Sequence, residues 1–166
     1  MAREKPARII IAEPDPSIAD TLKEFLEHIG YEAITVDRHD QVVRVAVEEK
    51  CGVVLLDHLL SFTSETGVLD ELQAVDSTIC VIMLVSCPLV EYVVAAFRRG
   101  AFDVLIKPVD LFELDRVVHN AFERHEFNKV IQFVTANLES IKELMEQGTE
   151  AQPQQKGLIA ASDVKY

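Results

Sequence analysis

The chain has 166 residues, of which 49% are hydrophobic and 27% charged, with a formal net charge of −12 and three cysteines. That length suits one domain with an appendage. The apolar runs fall well short of the roughly 20 residues a membrane-spanning helix needs, and the negative charge, unrelieved by any basic cluster, disfavours nucleic acid and anionic lipid as partners.

At the N-terminus basic residues precede an apolar run that ends at Ala12 and Glu13, which is unlike the apolar core of a secretory signal. Cys51, Cys80 and Cys87 are odd in number and lack metal-ligand spacing, so they read as reduced, structural thiols of a cytoplasmic protein.

The first strand is Arg8 to Ala12. A helix opens at Asp15-Pro16, where the aspartate can cap and proline suits the first helical position, and it ends near Gly30. A weaker strand, Ala33 to Val36, leads to a second helix over Asp40 to Lys50, whose Val42, Val43, Ala46 and Val47 form one stripe expected to face the sheet. The third strand is Val53 to Leu56, followed by a helix from about Gly67 to Val75. Ile79 to Val85 forms the fourth strand. A helix from about Pro88 stops at Gly100, which can adopt the left-handed terminating conformation. The last strand is Val104 to Ile106, and a fifth helix begins at Asp110, where Asp110 and Glu113 make a capping-box-like pattern.

The strands are nearly continuous in Ile, Val and Leu, so both faces of their sheet should be covered, which implies parallel pairing. The order βαβαβαβαβα with right-handed crossovers is a doubly wound α/β sandwich of three layers. Reactive groups in such folds gather at the carboxyl ends of the strands. Glu13 with Asp15 after the first strand, Asp57 at the end of the third and Lys107 at the end of the fifth fall there. A carboxylate ending a buried strand needs a partner, and Lys107 is the obvious counter-charge to Asp57. Ordinary charged strand ends remain the plainer alternative.

Three segments together carry a family resemblance: Arg8-Ile-Ile-Ile-Ala-Glu13-Pro-Asp-Pro-Ser-Ile18, Val53-Val-Leu-Leu-Asp57, and Gly100-Ala-Phe-Asp-Val-Leu-Ile-Lys107-Pro108 followed by Asp110-Leu-Phe-Glu-Leu. Over about residues 7–125 the chain resembles the CheY-like receiver domain of bacterial two-component response regulators, as an atypical member. The resemblance implies a flavodoxin-like sheet in the order 2-1-3-4-5. It also implies phosphoryl transfer to Asp57 from a histidine kinase or phosphotransfer protein, with Lys107 contacting the phosphoryl group. Magnesium would be held by Glu13, Asp57 and the backbone carbonyl of Leu59, because this hard cation prefers a few oxygen ligands and keeps several waters. The domain would signal rather than catalyse.

The sequence departs from the family pattern at several of these positions. Pro14 stands where a second metal-binding aspartate is usual, so magnesium binding should be weak; Asp15 either reaches the cation or serves only as the helix cap. Val85 replaces the usual threonine or serine after the fourth strand, and Ser86 comes one residue late. Val104 replaces the switch aromatic, with Phe102 two residues earlier. The loop from His58 to Gly67 lacks a common proline and is slightly long. His58 and Cys87 are given no role. Two functions therefore compete, a phosphorylation-controlled switch of protein interactions and a degenerate receiver serving as a phosphorylation-independent interaction or dimerisation module.

Beyond the receiver, residues 126–146 form a helical extension. Phe127, Ile131, Val134, Leu138, Ile141 and Met145 follow the alternating spacing of a coiled-coil seam, which suggests a homodimer through 127–145. His125 and Asn128 interrupt the phase, and packing back on the same chain is the alternative. Residues 147–166 have the polar, Pro/Gly-broken composition of a flexible tail with no output domain after it.

Overall fold

The computed structural model describes residues 7–61 and 67–149. Five strands, β1 (Arg8–Ala12), β2 (Glu32–Val36), β3 (Val53–Asp57), β4 (Cys80–Val85) and β5 (Asp103–Ile106), alternate with α1 (Pro16–His28), α2 (His39–Glu48), α3 (His58–Ser61), α4 (Val68–Val75), α5 (Val90–Arg98) and α6 (Leu111–Thr149). The sheet order is β2-β1-β3-β4-β5, and every pairing is parallel. The parallel pairing is the one expected from the uninterrupted apolar strands, and the order is the flavodoxin-like one that the family resemblance implies.

Alternate strand residues feed two cores. Ile10, Val54, Leu56, Val81 and Met83 pack with Val42 and Ala46 of α2, Leu69 and Leu72 of α4 and Ala96 of α5. Ile9, Ile11, Val53, Leu55, Ile82 and Leu84 pack on the other face with Ala19, Leu22 and Leu26 of α1 and Leu114, Val117, Val118 and Ala121 of α6. Every residue of β3 and β4 is buried, which explains why neither strand alternates with polar residues. Cys51 and Cys80 lie in these cores, and burial pushes both thiols up to about 11.

The helix ends follow local chemistry. Asp15 Oδ1 accepts hydrogen bonds from the Ser17 and Ile18 N–H groups at the start of α1, and Asp110 Oδ1 accepts from Phe112 and Glu113 at the start of α6. Gly30 and Gly100 carry φ of 104° and 94° after α1 and α5, a conformation that glycine adopts without a Cβ penalty. Two details differ from the sequence reading. The single turn α3 follows β3 directly, and Val47 is 49% exposed because the buried stripe of α2 narrows to Val42 and Ala46.

The fifth helix and the extension are one helix, unbroken at His125 and Asn128. His125 Nδ1 donates to the Thr78 carbonyl at 2.9 Å, and its ring lies over Gly52. Among the described residues, α6 from Val130 onward belongs to a second unit. There Val130, Ile131, Phe133, Val134, Leu138, Ile141, Leu144 and Met145 are exposed along α6. Part of the long loop, 62–66, and most of the expected tail, 150–166, lie outside the described residues. Among the described residues no helix is long and apolar enough to cross a membrane.

Candidate functional site

The parallel register brings three strand ends together. Asp57 closes β3 opposite Leu84, with no exposed surface. Glu13 follows β1, donates its N–H to the Val36 carbonyl at 3.0 Å and is 2% exposed. Lys107 follows β5 and donates its N–H to the Val85 carbonyl at 2.8 Å. Its ammonium pairs with Asp57 Oδ2 and with Glu13 Oε2, the latter at 2.5 Å. The counter-charge inferred from sequence is therefore in place, and it serves two carboxylates. Burial alone would lower the Lys107 pKa, but the hydrogen bonds it donates to Asp57 and Glu13 outweigh it and hold the ammonium above its ordinary value.

The remaining oxygens are also placed by local backbone. Asp57 Oδ1 accepts from the Leu59 N–H at 2.7 Å, in the turn that starts α3. Glu13 Oε1 accepts from the Asp15 N–H at 3.0 Å. Two buried carboxylates facing one ammonium leave a negative charge uncompensated, which suits a cation or an electrophile.

Asp15 is nearby but committed to α1. Its Oδ1 accepts from the Ser17 hydroxyl at 2.7 Å as well as from two N–H groups. Those bonds, led by the Ser17 hydroxyl and N–H, hold its pKa below the usual carboxylate value. A magnesium ion fits the donor chemistry that remains, since such a cation is commonly held by one or two carboxylates with water completing its shell. Glu13 and Asp57 would be those carboxylates. Pro14 offers no side-chain oxygen, and among the described residues no cluster of three or more metal-ligating side chains is present.

The altered switch positions have plain packing explanations. Val85 is buried at the last position of β4, and Ser86 is exposed just past the strand. Val104 packs against the core on the α2, α4 and α5 side, and Phe102 against the opposite core. Sequence reasoning left His58 without a role. Its Nδ1 is buried without a hydrogen-bond partner among the described residues and lies 3.7 Å from Asp57 Oδ1. Adjacency to Asp57 was the only sequence signal for it.

Comparison with known proteins agrees with this geometry. The family model of the response regulator receiver domain matches residues 9–119. The transcriptional regulatory protein GlrR of Escherichia coli is 29% identical over 120 residues, 72% of this chain, and the tetrathionate response regulatory protein TtrR of Salmonella typhimurium is 30% identical over 115 residues, 69% of this chain. The chain spans only 27% of the first and 56% of the second. A crystal structure of a response regulator receiver domain protein from Clostridium thermocellum is similar with a TM-score of 0.67 and 26% identity, covering 73% of this chain and 98% of that one. NtrX from Brucella abortus in complex with ATP is similar with a TM-score of 0.70 and 25% identity, covering 77% of this chain and 29% of that one. With the family model covering most of the sheet and its helices, the chain belongs to the response regulator receiver domain family.

Proposed function

We propose that the chain is a phosphorylation-controlled switch in which Asp57 accepts a phosphoryl group from a histidine kinase or phosphotransfer protein. The observation that carries this reading is the Lys107 ammonium held between the buried carboxylates of Asp57 and Glu13. In the transfer, a carboxylate oxygen of Asp57 forms a bond to phosphorus as the donor's phosphorus–nitrogen bond breaks, and the donor imidazole keeps that electron pair. Lys107 supplies a positive charge to the incoming phosphoryl oxygens. Bound magnesium would neutralise more of that charge, held by Glu13, Asp57 and the Leu59 carbonyl.

The output is a change in protein contacts. Leu89 and, on α5, Val90, Val94 and Phe97 are exposed, and they make an apolar surface. The apolar stripe from Phe127 to Met145 on α6 suits a second copy of the chain, because a heptad seam is self-complementary. GlrR is a transcriptional regulatory protein; the charge of −12 argues against direct nucleic-acid contact by this chain. Three free thiols suit a reducing cytoplasm.

A second reading, a phosphorylation-independent interaction module, is favoured by the use of Asp15 as a cap beside Pro14. Intact mass after exposure to acetyl phosphate and magnesium separates the two. The switch requires the gain of one phosphoryl group, absent in Asp57→Asn; an unchanged wild-type mass leaves the module.

A further inference from the structure

Val85 ends β4 as a buried methyl-bearing side chain, so the strand presents no hydroxyl toward Asp57. Ser86 is exposed beyond the strand end. A phosphoryl group on Asp57 would carry three strong acceptor oxygens, and Lys107 reaches the site from β5, by way of Oδ2. The Oδ1 side has the Leu59 N–H and one further nitrogen, His58 Nδ1.

That nitrogen is unusual in two respects. It is buried yet has no hydrogen-bond partner among the described residues, and native proteins leave few such groups unsatisfied. It also stops 3.7 Å from Asp57 Oδ1, too far for a hydrogen bond but within reach of atoms attached to that oxygen. The ring lines an apolar cavity with Ser61, Met83, Val85, Cys87 and Tyr92. His58 and Val85 thus line the same cavity, and of the two only His58 carries a donor, on the nitrogen that faces Asp57 Oδ1.

We propose that His58 is the phosphoryl-binding donor of this receiver, making through Nδ1–H the hydrogen bond that Val85 lacks the hydroxyl to make. The inference rests on Asp57 being the phosphoacceptor. A neutral imidazole with its hydrogen on Nδ1 and an imidazolium both donate from that atom, so the role does not depend on the ring's charge. Turning toward the phosphoryl group withdraws the ring from the cavity that it shares with Tyr92 of α5. α5, which carries the exposed Val90, Val94 and Phe97, then repacks. In this way an altered β4 end retains a link between the acceptor and an outer face.

The test uses the full chain with beryllium fluoride and magnesium as the phosphoryl probe, read by NMR of ring-15N-labelled histidine. The expected result is a shift of the His58 Nδ1 resonance to a hydrogen-bonded donor position, absent in Asp57→Asn. His58→Leu keeps the bulk without the donor and should weaken probe binding by about tenfold, the loss typical of one hydrogen bond to a charged group. His58→Asn places an amide nitrogen near the position of Nδ1 and should stay close to wild type. If the wild-type chain gains phosphoryl mass and binds the probe while the His58 resonance stays still, or while His58→Leu binds equally well, the inference is overturned and the acceptor reading stands. If the wild-type chain neither gains mass nor binds the probe, both fail. Should His58→Leu not fold, the wild-type ring resonance decides.

Discussion

Lys107 and Asp57, 50 residues apart in sequence, close an ion pair in which the carboxylate has no exposed surface. The same ammonium serves Glu13, which is nearly as buried. Removing one member of a buried pair leaves an uncompensated charge, at a cost of about 3–5 kcal/mol. Lys107→Met should therefore lower unfolding free energy by about 3 kcal/mol in urea titrations near neutral pH. Adding Asp57→Asn should recover part of that loss, because the two side chains interact directly. A strictly additive double mutant would mean that the pair is not what stabilises the strand ends.

The proposed magnesium site counts fewer carboxylates than lie nearby, because Asp15 spends its Oδ1 on the first turn of α1. Pro14→Asp adds an anionic oxygen beside Glu13 and should tighten magnesium by roughly ten- to hundredfold in calorimetric titrations, the scale of one charge-assisted contact. Asp15→Ala should leave magnesium affinity nearly unchanged and lower the melting temperature. The sign with pH follows from the depressed pKa of Asp15, whose leading cause is the Ser17 hydroxyl. The cap is present above the ordinary carboxylate value of 3.8 and is lost as pH falls through the lower folded value. The stability difference between wild type and Asp15→Ala should shrink over that acid window. Magnesium binding abolished by Asp15→Ala would return that residue to the ligand set.

Much of this was legible in the chain because it is local. Val53-Val-Leu-Leu has both faces buried and reads as a central parallel strand. Gly30 and Gly100 mark helix ends through their backbone freedom, and Asp110 through its cap. The pairing of Asp57 with Lys107 followed from placing both at strand carboxyl ends. The turn α3 was not legible, since four residues are too few to show a period. His58 and His125 were not legible for a different reason. The His125 ring faces Thr78 and Gly52 and the His58 ring shares its cavity with Met83 and Val85 of β4, and sequence spacing carries no trace of those contacts.

The seam on α6 makes a prediction about assembly. Ile131, Val134, Leu138, Ile141 and Met145 are between 47% and 69% exposed, and Val130 and Leu144 widen the stripe on one side. Such an exposed apolar stripe marks an interaction surface. Light scattering should report a dimer at concentrations on the order of ten micromolar, where short coiled coils begin to associate. Ile131→Asp combined with Leu138→Asp should give monomers with an unchanged receiver fold by circular dichroism. A monomeric wild-type chain at that concentration would assign the stripe to a different occupant.

The last prediction concerns how α6 is fastened to the sheet. The His125 ring is 12% exposed, donates from Nδ1 to the Thr78 carbonyl and lies against Gly52, between α2 and β3. A Cβ at residue 52 would meet His125 Cδ2 at 2.5 Å and Nε2 at 2.8 Å, closer than side chains tolerate. Gly52 is not among the glycines with positive φ, so the cost of Gly52→Ala is steric rather than conformational. The substitution must displace the ring and break its bond to Thr78, at about 1–3 kcal/mol. His125→Ala removes the obstacle together with the bond. The double variant should accordingly be little less stable than His125→Ala alone, a clear departure from additivity for residues in contact. Gly30→Ala is the control, because a Cβ there meets open space and the penalty comes from a φ of 104°. Its cost should add fully to that of His125→Ala in urea titrations. If Gly52→Ala also adds fully, the glycine is not there to admit the ring, and His125 does not fasten the helix in the way its contacts indicate.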